Sequence, residues 1–160
     1  MMGVGKSTIG SLLSKKLGIP FEDLDHKIET RESLTIKKIF DLKGEKYFRK
    51  IEESEGLNII KGERKIIALG GGTFINRKVR EEVKKSSFSV WLDLASEKIF
   101  NRVKKNKGRP LLINVKSIEE IEKIYLNRKK IYALADYRLD CASKSKEDIA
   151  NEIEKIYENI

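Results

Sequence analysis

Apolar residues follow two different spacings along the chain, one typical of helices and one typical of buried strands. The first spacing is found in Ile9, Leu12, Leu13 and Leu17. It predicts a loop that enters a helix, from Gly5 to about Leu17. The second is the short run Lys65–Leu69, which ends abruptly at Gly70-Gly71-Gly72. Such a run is typical of a strand buried on both faces.

The same reading extends to the rest of the chain. The other predicted strands are Phe21–Asp23, Phe88–Leu92 and Tyr137–Asp140. The other predicted helices are Thr35–Leu42, Glu45–Ile60, a short one before Phe88, one before Asn106, Ile118–Ala135, and a C-terminal one marked by Ile149, Ile153 and Ile156. Strands that alternate with helices favour an α/β fold, with a parallel sheet covered by helices on both faces. The 160 residues fit a single domain, residues 1–160.

Composition narrows the classes of function. Lys and Arg number 34 against 25 Asp and Glu, a net charge of +9, but the basic residues are scattered among glutamates. This pattern favours a solvated lysine-rich surface, or a positive field that attracts small anions, over a nucleic-acid partner. No run of 18 apolar residues predicts a membrane span, and no signal-peptide pattern is visible. With Cys141 as the single cysteine, no disulfide framework is expected, and a reducing cytoplasm is the simplest location.

The strongest chemical motif lies at the start of the first predicted helix and reads Gly3-Val4-Gly5-Lys6-Ser7-Thr8. Glycines let the backbone curl so that N–H groups face phosphate oxygens, and the helix N-terminus adds positive potential. In such a loop Lys6 reaches the β- and γ-phosphates and Ser7 ligates Mg²⁺. The segment therefore predicts an ATP site.

The phosphate-loop motif is incomplete. The full pattern G-x-x-x-x-G-K-[ST] places its first glycine one position upstream of Met1, and the apolar strand that feeds such a loop is absent from the sequence. We expect this chain to start at an internal methionine, with a strand ending in glycine just upstream.

Two acidic residues and a glycine run predict an acceptor site at the carboxyl ends of strands. Asp23 and Asp25 alternate at the end of the first predicted strand, so both carboxylates would face one site if the segment were extended. One would hold metal-bound water and the other would orient or deprotonate a hydroxyl; either Asp could instead cap a helix. The run Gly70-Gly71-Gly72 would let a ligand approach the backbone, or form a flexible turn.

Three arginines are candidates for binding anions. Arg128 falls on the apolar stripe of the helix 118–135, where a charge is costly unless it is paired or extends to solvent. Arg49 has Glu52 and Glu53 at helical spacing, so a surface ion pair would also explain it. Arg109 lies beside glycine and proline in a polar stretch, as an arginine in a mobile lid would.

Taken in order, these motifs resemble the shikimate kinase family. The resemblance rests on Gly-Lys-Ser-Thr-Ile-Gly, Asp-Leu-Asp, Phe-Arg with Glu three residues on, Gly-Gly-Gly, Arg-Pro-Leu-Leu and Arg128 four residues before Tyr132. It implies a P-loop, nucleoside-monophosphate-kinase-like fold with a five-stranded parallel sheet and a mobile lid at about 105–117. It also implies a cytoplasmic monomer that phosphorylates the 3-hydroxyl of shikimate with ATP and Mg²⁺, in aromatic amino-acid biosynthesis.

The resemblance assigns a role to each candidate residue. Asp25 binds the substrate hydroxyls and serves as base, while Ser7 binds Mg²⁺ directly and Asp23 does so through water. Arg49 and Arg128 clamp the shikimate carboxylate, and the segment Gly70–Gly72 contributes a backbone contact through Gly71. Arg109 contacts the ATP phosphates from the lid. The family also has basic residues that contact the adenine, and Lys104 and Lys144 are the nearest candidates for them in a loose alignment.

Three other functions remain open from the residues. A gluconate-kinase-like enzyme has the same fold and also accepts an acid, although the Gly70–Gly72 run and Arg109-Pro110-Leu111-Leu112 favour shikimate. A nucleoside-monophosphate kinase would need a second basic cluster for its acceptor phosphate. A nucleotide-binding module without turnover would bind ATP without releasing ADP in response to an acceptor.

Overall fold

The computed structural model describes residues 3–105 and 117–159, with the side chains of 102–105 left out. Strands and helices alternate along most of it. The strands are β1 (Phe21–Asp23), β2 (Ile66–Ala68), β3 (Val90–Asp93) and β4 (Tyr137–Asp140). The helices are α1 (Lys6–Leu17), α2 (Leu24–Glu32), α3 (Ile36–Ile59), α4 (Arg77–Ser86), α5 (Ser96–Lys105), α6 (Ile118–Tyr132) and α7 (Lys146–Glu158), with a 3-10 turn at Thr73–Ile75.

All four predicted strands are confirmed, with shifts of one or two residues at the ends of β2 and β3. Helix α2 was not predicted. It begins because the Asp23 side chain accepts hydrogen bonds from the backbone N–H groups of Asp25 and His26, which caps the helix N-terminus. The expectation that Asp23 and Asp25 alternate along one extended strand is therefore wrong, since the strand ends at Asp23 and Asp25 lies in the first turn of α2.

The two predicted helices on either side of Gly44 form one kinked helix, α3. Gly44 has φ 78° and ψ 168°, which only glycine adopts readily, and the regular helix is interrupted there. The half of α3 after the kink carries the buried residues Phe48, Ile51 and Ile59 on one face. No described helix is long and apolar enough to span a bilayer.

The four described strands form two separate parallel pairs rather than the single sheet that the alternation of elements predicts. Strand β1 pairs with β2, and β3 pairs with β4. No strand in the described ranges joins β2 to β3, and an apolar groove runs between them.

Two hydrophobic clusters hold these elements in place. The larger packs helices α1, α4, α6 and α7 around β3 and β4, with residues such as Ile9, Trp91 and Leu139 at its centre. The smaller packs α2 against α3 through Leu24, Ile28 and Ile39, which are each 0% exposed. The carboxyl ends of β1 and β2 meet near the amino end of α1, and the predicted site residues gather there.

Candidate active site

The predicted phosphate loop leads directly into helix α1. Gly5 is its N-cap, with φ 97° in the left-handed region, and no acidic residue lies in the first turn. Val4 is buried, with 1% of its surface exposed, so the loop is anchored to the core from beneath. No acidic side chain of the first turn therefore offsets the positive potential of the helix N-terminus, which favours an anion there.

Asp23 connects the phosphate loop to the acceptor side. Its Oδ2 accepts a short hydrogen bond from the Ser7 hydroxyl, and its Oδ1 accepts one of 2.9 Å from the backbone N–H of Asp25. Asp23 therefore caps helix α2, one of the two alternatives from the sequence, and it also contacts Ser7. A hydroxyl and a carboxylate side by side at a phosphate loop are the oxygen donors that Mg²⁺ uses, with water and phosphate completing its coordination. The residues present therefore fit the metal.

The Asp25 carboxylate lies against the glycine run. A Cβ built on Gly70 would lie 2.9 Å from Asp25 Oδ1, 3.0 Å from Glu52 Oε1 and 2.8 Å from Thr73 Oγ1. A side chain at position 70 would therefore displace at least one of these three groups. The structure brings Asp25 to the same segment as the other acceptor candidates, although it does so from a helix rather than from a strand.

Arg49 is held against the same segment by two carboxylates. Its Nη1 donates to Glu52 Oε2 at 2.6 Å, and its Nη2 donates to Glu45 Oε1 at 3.1 Å. Burial lowers the pKa of the Arg49 guanidinium, but the charges of Glu52 and Glu45 outweigh burial and raise it. A Cβ on Gly72 would lie 2.3 Å from Arg49 Nη1, so this glycine is what allows the guanidinium to lie so close to the backbone.

Of the two partners that the sequence offered for Arg49, Glu52 is confirmed and Glu53 is not. Glu53 does not pair with it but accepts instead from Lys78 at 2.7 Å and from Asn76 at 2.7 Å. Glu52 is 5% exposed, far less than a residue in a surface ion pair. Its other oxygen accepts from the buried Thr73 hydroxyl at 2.9 Å, which fixes the carboxylate that holds Arg49.

Helix α6 supplies the second arginine. Arg128 is half-buried, and its Nη1 donates to the Gly71 carbonyl at 3.3 Å. The buried Tyr132 hydroxyl donates a short hydrogen bond to the same oxygen. Arg128 and Arg49 line one cavity of about 340 Å³, with Glu52, Glu53, Gly72, Thr73, Ile75 and Asn76. Two guanidinium groups at one cavity suit a carboxylate, which binds arginine through two parallel hydrogen bonds.

The remaining candidates lie elsewhere. Arg109 and the proposed lid, about 105–117, fall almost entirely outside the described residues, as does the side chain of Lys104. Lys144 is described, and it pairs with Glu152 of α7. Lys146 lies nearer to the phosphate loop, with its Cε 3.7 Å from the position of a Gly5 Cβ.

Sequence reasoning missed the groups that position the site rather than bind ligands. Glu52 was read only as a surface partner, although it falls on the face of α3 that also carries Phe48 and Ile51, a signal of burial. Tyr132 was named only as part of the motif that it forms with Arg128, with no contact assigned to it. Nothing in the sequence links Thr73 to Glu52, because the contact joins residues 21 positions apart.

Comparison with known proteins points to one family. The family model described as shikimate kinase matches residues 2–158. The shikimate kinase of Persephonella marina is 41% identical over 152 residues, which cover 95% of this chain and 92% of that one. The solved shikimate kinase of Acinetobacter baumannii in complex with shikimate matches with a TM-score of 0.92 at 31% identity, covering 99% of this chain and 89% of that one. A gluconokinase of Sinorhizobium meliloti matches with a TM-score of 0.55 at 15% identity, which shows likeness of fold alone.

The fold and the phosphate loop define an ATP-dependent small-molecule kinase of the P-loop class. The matches extend over nearly the whole chain. The chain belongs to the shikimate kinase family.

Proposed function

We propose that this chain transfers the γ-phosphoryl group of ATP to the 3-hydroxyl of shikimate, giving shikimate 3-phosphate and ADP. One observation carries the proposal: two carboxylates and two guanidinium groups lie against the three consecutive glycines. Asp25 and Glu52 surround Gly70, Arg128 bonds to Gly71, and Arg49 lies against Gly72. A hydroxy acid needs such a combination, with cations for its carboxylate and a carboxylate for its hydroxyls.

On the acceptor side, Arg49 and Arg128 bind the substrate carboxylate. Glu52 orients Arg49, while the Gly71 carbonyl orients Arg128. The backbone of Gly71 completes the contact. Asp25 accepts a hydrogen bond from the reacting hydroxyl and takes its proton as the phosphoryl group arrives. Positioning and charge neutralisation supply most of the catalysis of phosphoryl transfer, so no covalent intermediate is required.

On the nucleotide side, the backbone N–H groups of Gly3–Thr8 cradle the phosphates at the N-terminus of α1. Lys6 contacts the β- and γ-phosphates, and Ser7 and Asp23 hold Mg²⁺. When bound, Mg²⁺ neutralises charge on the transferring group. Arg109 adds positive charge from the lid, and Lys104 and Lys144 contact the adenine. The enzyme acts as a cytoplasmic monomer, without nucleic acid or membrane as a partner.

Acceptor-dependent ADP release with Mg²⁺ and ATP tests the proposal. Shikimate, gluconate and no acceptor are compared at equal concentrations. Release with shikimate alone is expected, since two arginines and Asp25 meet at one site. Release with gluconate would instead assign the site to the other acid, and release without any acceptor would refute acceptor phosphorylation.

The variant Asp25→Asn tests the base. It is expected to lower kcat by about 10²- to 10⁴-fold, the usual contribution of general-base catalysis, while ATP binding measured by calorimetry stays unchanged. Asp41→Asn is the matched control, because Asp41 is exposed in the first half of α3. Full activity of Asp25→Asn would contradict its role as base.

A further inference from the structure

A buried carboxylate, that of Asp93, lies at the carboxyl end of β3, where only 6% of the residue is exposed. Its Oδ1 accepts a hydrogen bond of 2.9 Å from the Tyr125 hydroxyl. Its Oδ2 accepts one of 2.8 Å from Arg138 Nε and lies 2.6 Å from Arg138 Nη2. A buried carboxylate is costly unless it is paired and hydrogen-bonded. The two partners together fix both oxygens of Asp93.

Arg138 attaches the Asp93 carboxylate to the neighbouring strand. Arg138 lies on β4, in register with Trp91 of β3, and its guanidinium carbon lies 5.1 Å from the centroid of the Trp91 ring. A guanidinium over an aromatic face is attracted to it electrostatically. The ring and the carboxylate therefore hold Arg138 between them, and Arg138 in turn holds Asp93. This arrangement leaves Asp93 Oδ1 as a fixed acceptor for a group that approaches from outside the strands.

Tyr125, the group that approaches, lies on the face of α6 that carries one of the acceptor arginines. Tyr125, Arg128 and Tyr132 are spaced by three and then four residues, which places them on one face of the helix. Tyr125 attaches α6 to the end of β3, and Tyr132 attaches it to the Gly71 carbonyl just after β2. The two attachments are about 10 Å apart along the helix axis. Arg128 lies between them and donates to the same Gly71 carbonyl.

The position of Arg128 is sensitive to how α6 is held. Helix α6 packs into the core through Ile121, which is 1% exposed. Such apolar contact is non-directional, so it resists a small rotation of the helix less than a hydrogen bond does. The bond from Arg128 Nη1 to the Gly71 carbonyl is 3.3 Å long, beyond the usual N–H···O range of about 2.7–3.2 Å. A small displacement of α6 would therefore break it and turn the guanidinium away.

We propose that Asp93 is a positioning residue for the acceptor site, and that it acts through Tyr125 and helix α6 to hold Arg128 toward the substrate carboxylate. This inference rests on the proposed function, in which Arg128 binds that carboxylate. Burial and the hydrogen bond to Asp93 raise the pKa of Tyr125 to about 12. The hydroxyl therefore keeps its proton at neutral pH and remains the donor that Asp93 requires.

The variant Tyr125→Phe tests the connection, because it removes the hydroxyl and keeps the ring. In ADP release at saturating ATP, we expect the KM for shikimate to rise about fivefold, a size typical of coupling through a packed network. We expect kcat and the KM for ATP to stay unchanged, since only ground-state binding of the acceptor is weakened. A fall in kcat at unchanged KM for shikimate would indicate a loss of active protein alone and would overturn the proposal.

Tyr137→Phe on β4 is the matched control. The Tyr137 hydroxyl makes no hydrogen bond to another residue in the described part of the chain, so we expect the KM for shikimate to stay unchanged. The variant Asp93→Ala removes the acceptor itself, and we expect it to raise this KM by at least the same factor as Tyr125→Phe. Adding Tyr125→Phe to Asp93→Ala should then change the KM by less than about twofold, because both substitutions break one connection.

A double-mutant cycle with Arg128→Met gives the specific readout. The ratio kcat/KM for shikimate is measured from initial rates at low shikimate, which requires no saturation. Tyr125→Phe is expected to lower this ratio about fivefold when Arg128 is present and to leave it unchanged in Arg128→Met, because the group that Tyr125 positions is then absent. An equal loss with and without Arg128 would show that Tyr125 acts on the site by another route, against the proposal.

A measurement without turnover separates this proposal from the proposed function. If the unmodified chain releases no ADP with shikimate, the proposed function fails, but the Gly71 carbonyl still reports whether Tyr125 positions α6. Its carbon-13 resonance depends on the hydrogen bonds from Arg128 and Tyr132. We expect this resonance to move in Tyr125→Phe, while that of Gly18, at the C-terminal end of α1, does not. An unmoved Gly71 resonance would overturn the proposal, whatever the result for kinase activity.

Discussion

The substitution Gly72→Ala tests whether the glycine run is what positions Arg49. An added Cβ would lie 2.3 Å from Arg49 Nη1, whereas ordinary contact requires about 3.5 Å. The guanidinium would have to move by about 1 Å. That displacement stretches its 2.6 Å hydrogen bond to Glu52 beyond the normal limit of about 3.2 Å.

The size of the expected rise in the KM for shikimate follows from the hydrogen bond that a displaced Arg49 would no longer donate to the substrate. A hydrogen bond to a charged group contributes about 1.5–3 kcal/mol. The Arg49 side chain is 31% exposed, so the lower end of that range applies. About 1.5 kcal/mol corresponds to about a tenfold rise in KM for shikimate. We expect the KM for ATP to stay unchanged, because Arg49 bonds to Glu45 and Glu52, on the acceptor side of the site.

The assay is steady-state ADP release with shikimate titrated at saturating ATP. Gly56→Ala is the matched control: its Cβ would lie 3.1 Å from Thr73 Cγ2 and 3.2 Å from Val79 Cγ2, which tests crowding in the same region without touching Arg49. We expect this control to alter thermal stability but not the KM for shikimate. An unchanged KM for shikimate in Gly72→Ala would refute the reasoning.

Three further predictions concern tyrosine hydroxyl and cysteine thiol groups. Tyr132→Phe removes the hydroxyl that donates to the Gly71 carbonyl, and we expect a loss of about 1 kcal/mol in the free energy of unfolding together with a raised KM for shikimate. The control Tyr157→Phe removes a hydroxyl that accepts from Arg64, and it should leave the KM for shikimate unchanged. Burial raises the pKa of the Cys141 thiol to about 11, so we expect a thiol reagent at pH 8 to label Cys141 only after denaturation; rapid labelling of the folded chain would contradict this. Burial likewise raises the pKa of Tyr125 to about 12. The Cys141 thiol and the Tyr125 hydroxyl therefore bind their protons more tightly in the folded chain than in the unfolded one. The stability that they contribute is present at neutral pH and is lost progressively from about pH 9 to pH 12. Melting curves recorded across that range would measure the loss.

Much of this fold could be predicted because its signals are local. The spacing of Ile9, Leu13 and Leu17 defines α1, and the apolar run before Gly70 defines β2. Helix α2 escaped prediction since its start depends on a side-chain cap: an Asp after a strand is compatible with a longer strand or with a helix N-terminus. The separation of the strands into two pairs also escaped, because the order of strands in a sheet depends on contacts between residues far apart in sequence.

The residues of the candidate site also fall into those that the sequence could predict and those that it could not. Residues with a recognisable chemistry, such as Asp25, Arg49 and Arg128, could be named from the motifs. Their neighbours could not, because Glu52 and Thr73 act through geometry that arises only when α3 packs beside the glycine run. In a sequence, a glutamate that will be buried looks the same as an exposed one. Only its position on the apolar face of a helix distinguishes it.

The positions of Gly44 and Gly72 both favour glycine, but for different physical reasons. Nothing lies within 4 Å of a Cβ at Gly44, where the backbone has φ 78°, whereas Gly72 has an ordinary φ of −97° and a crowded Cβ position. Chirality separates the two cases. At position 44, the torsions that L-residues avoid are the mirror image of an extended conformation, so D-alanine introduced by chemical synthesis suits that backbone. At position 72 the backbone suits L-residues but their Cβ would meet the Arg49 guanidinium, whereas a D-residue would carry its Cβ on the other side of Cα and would instead be strained by the backbone torsions.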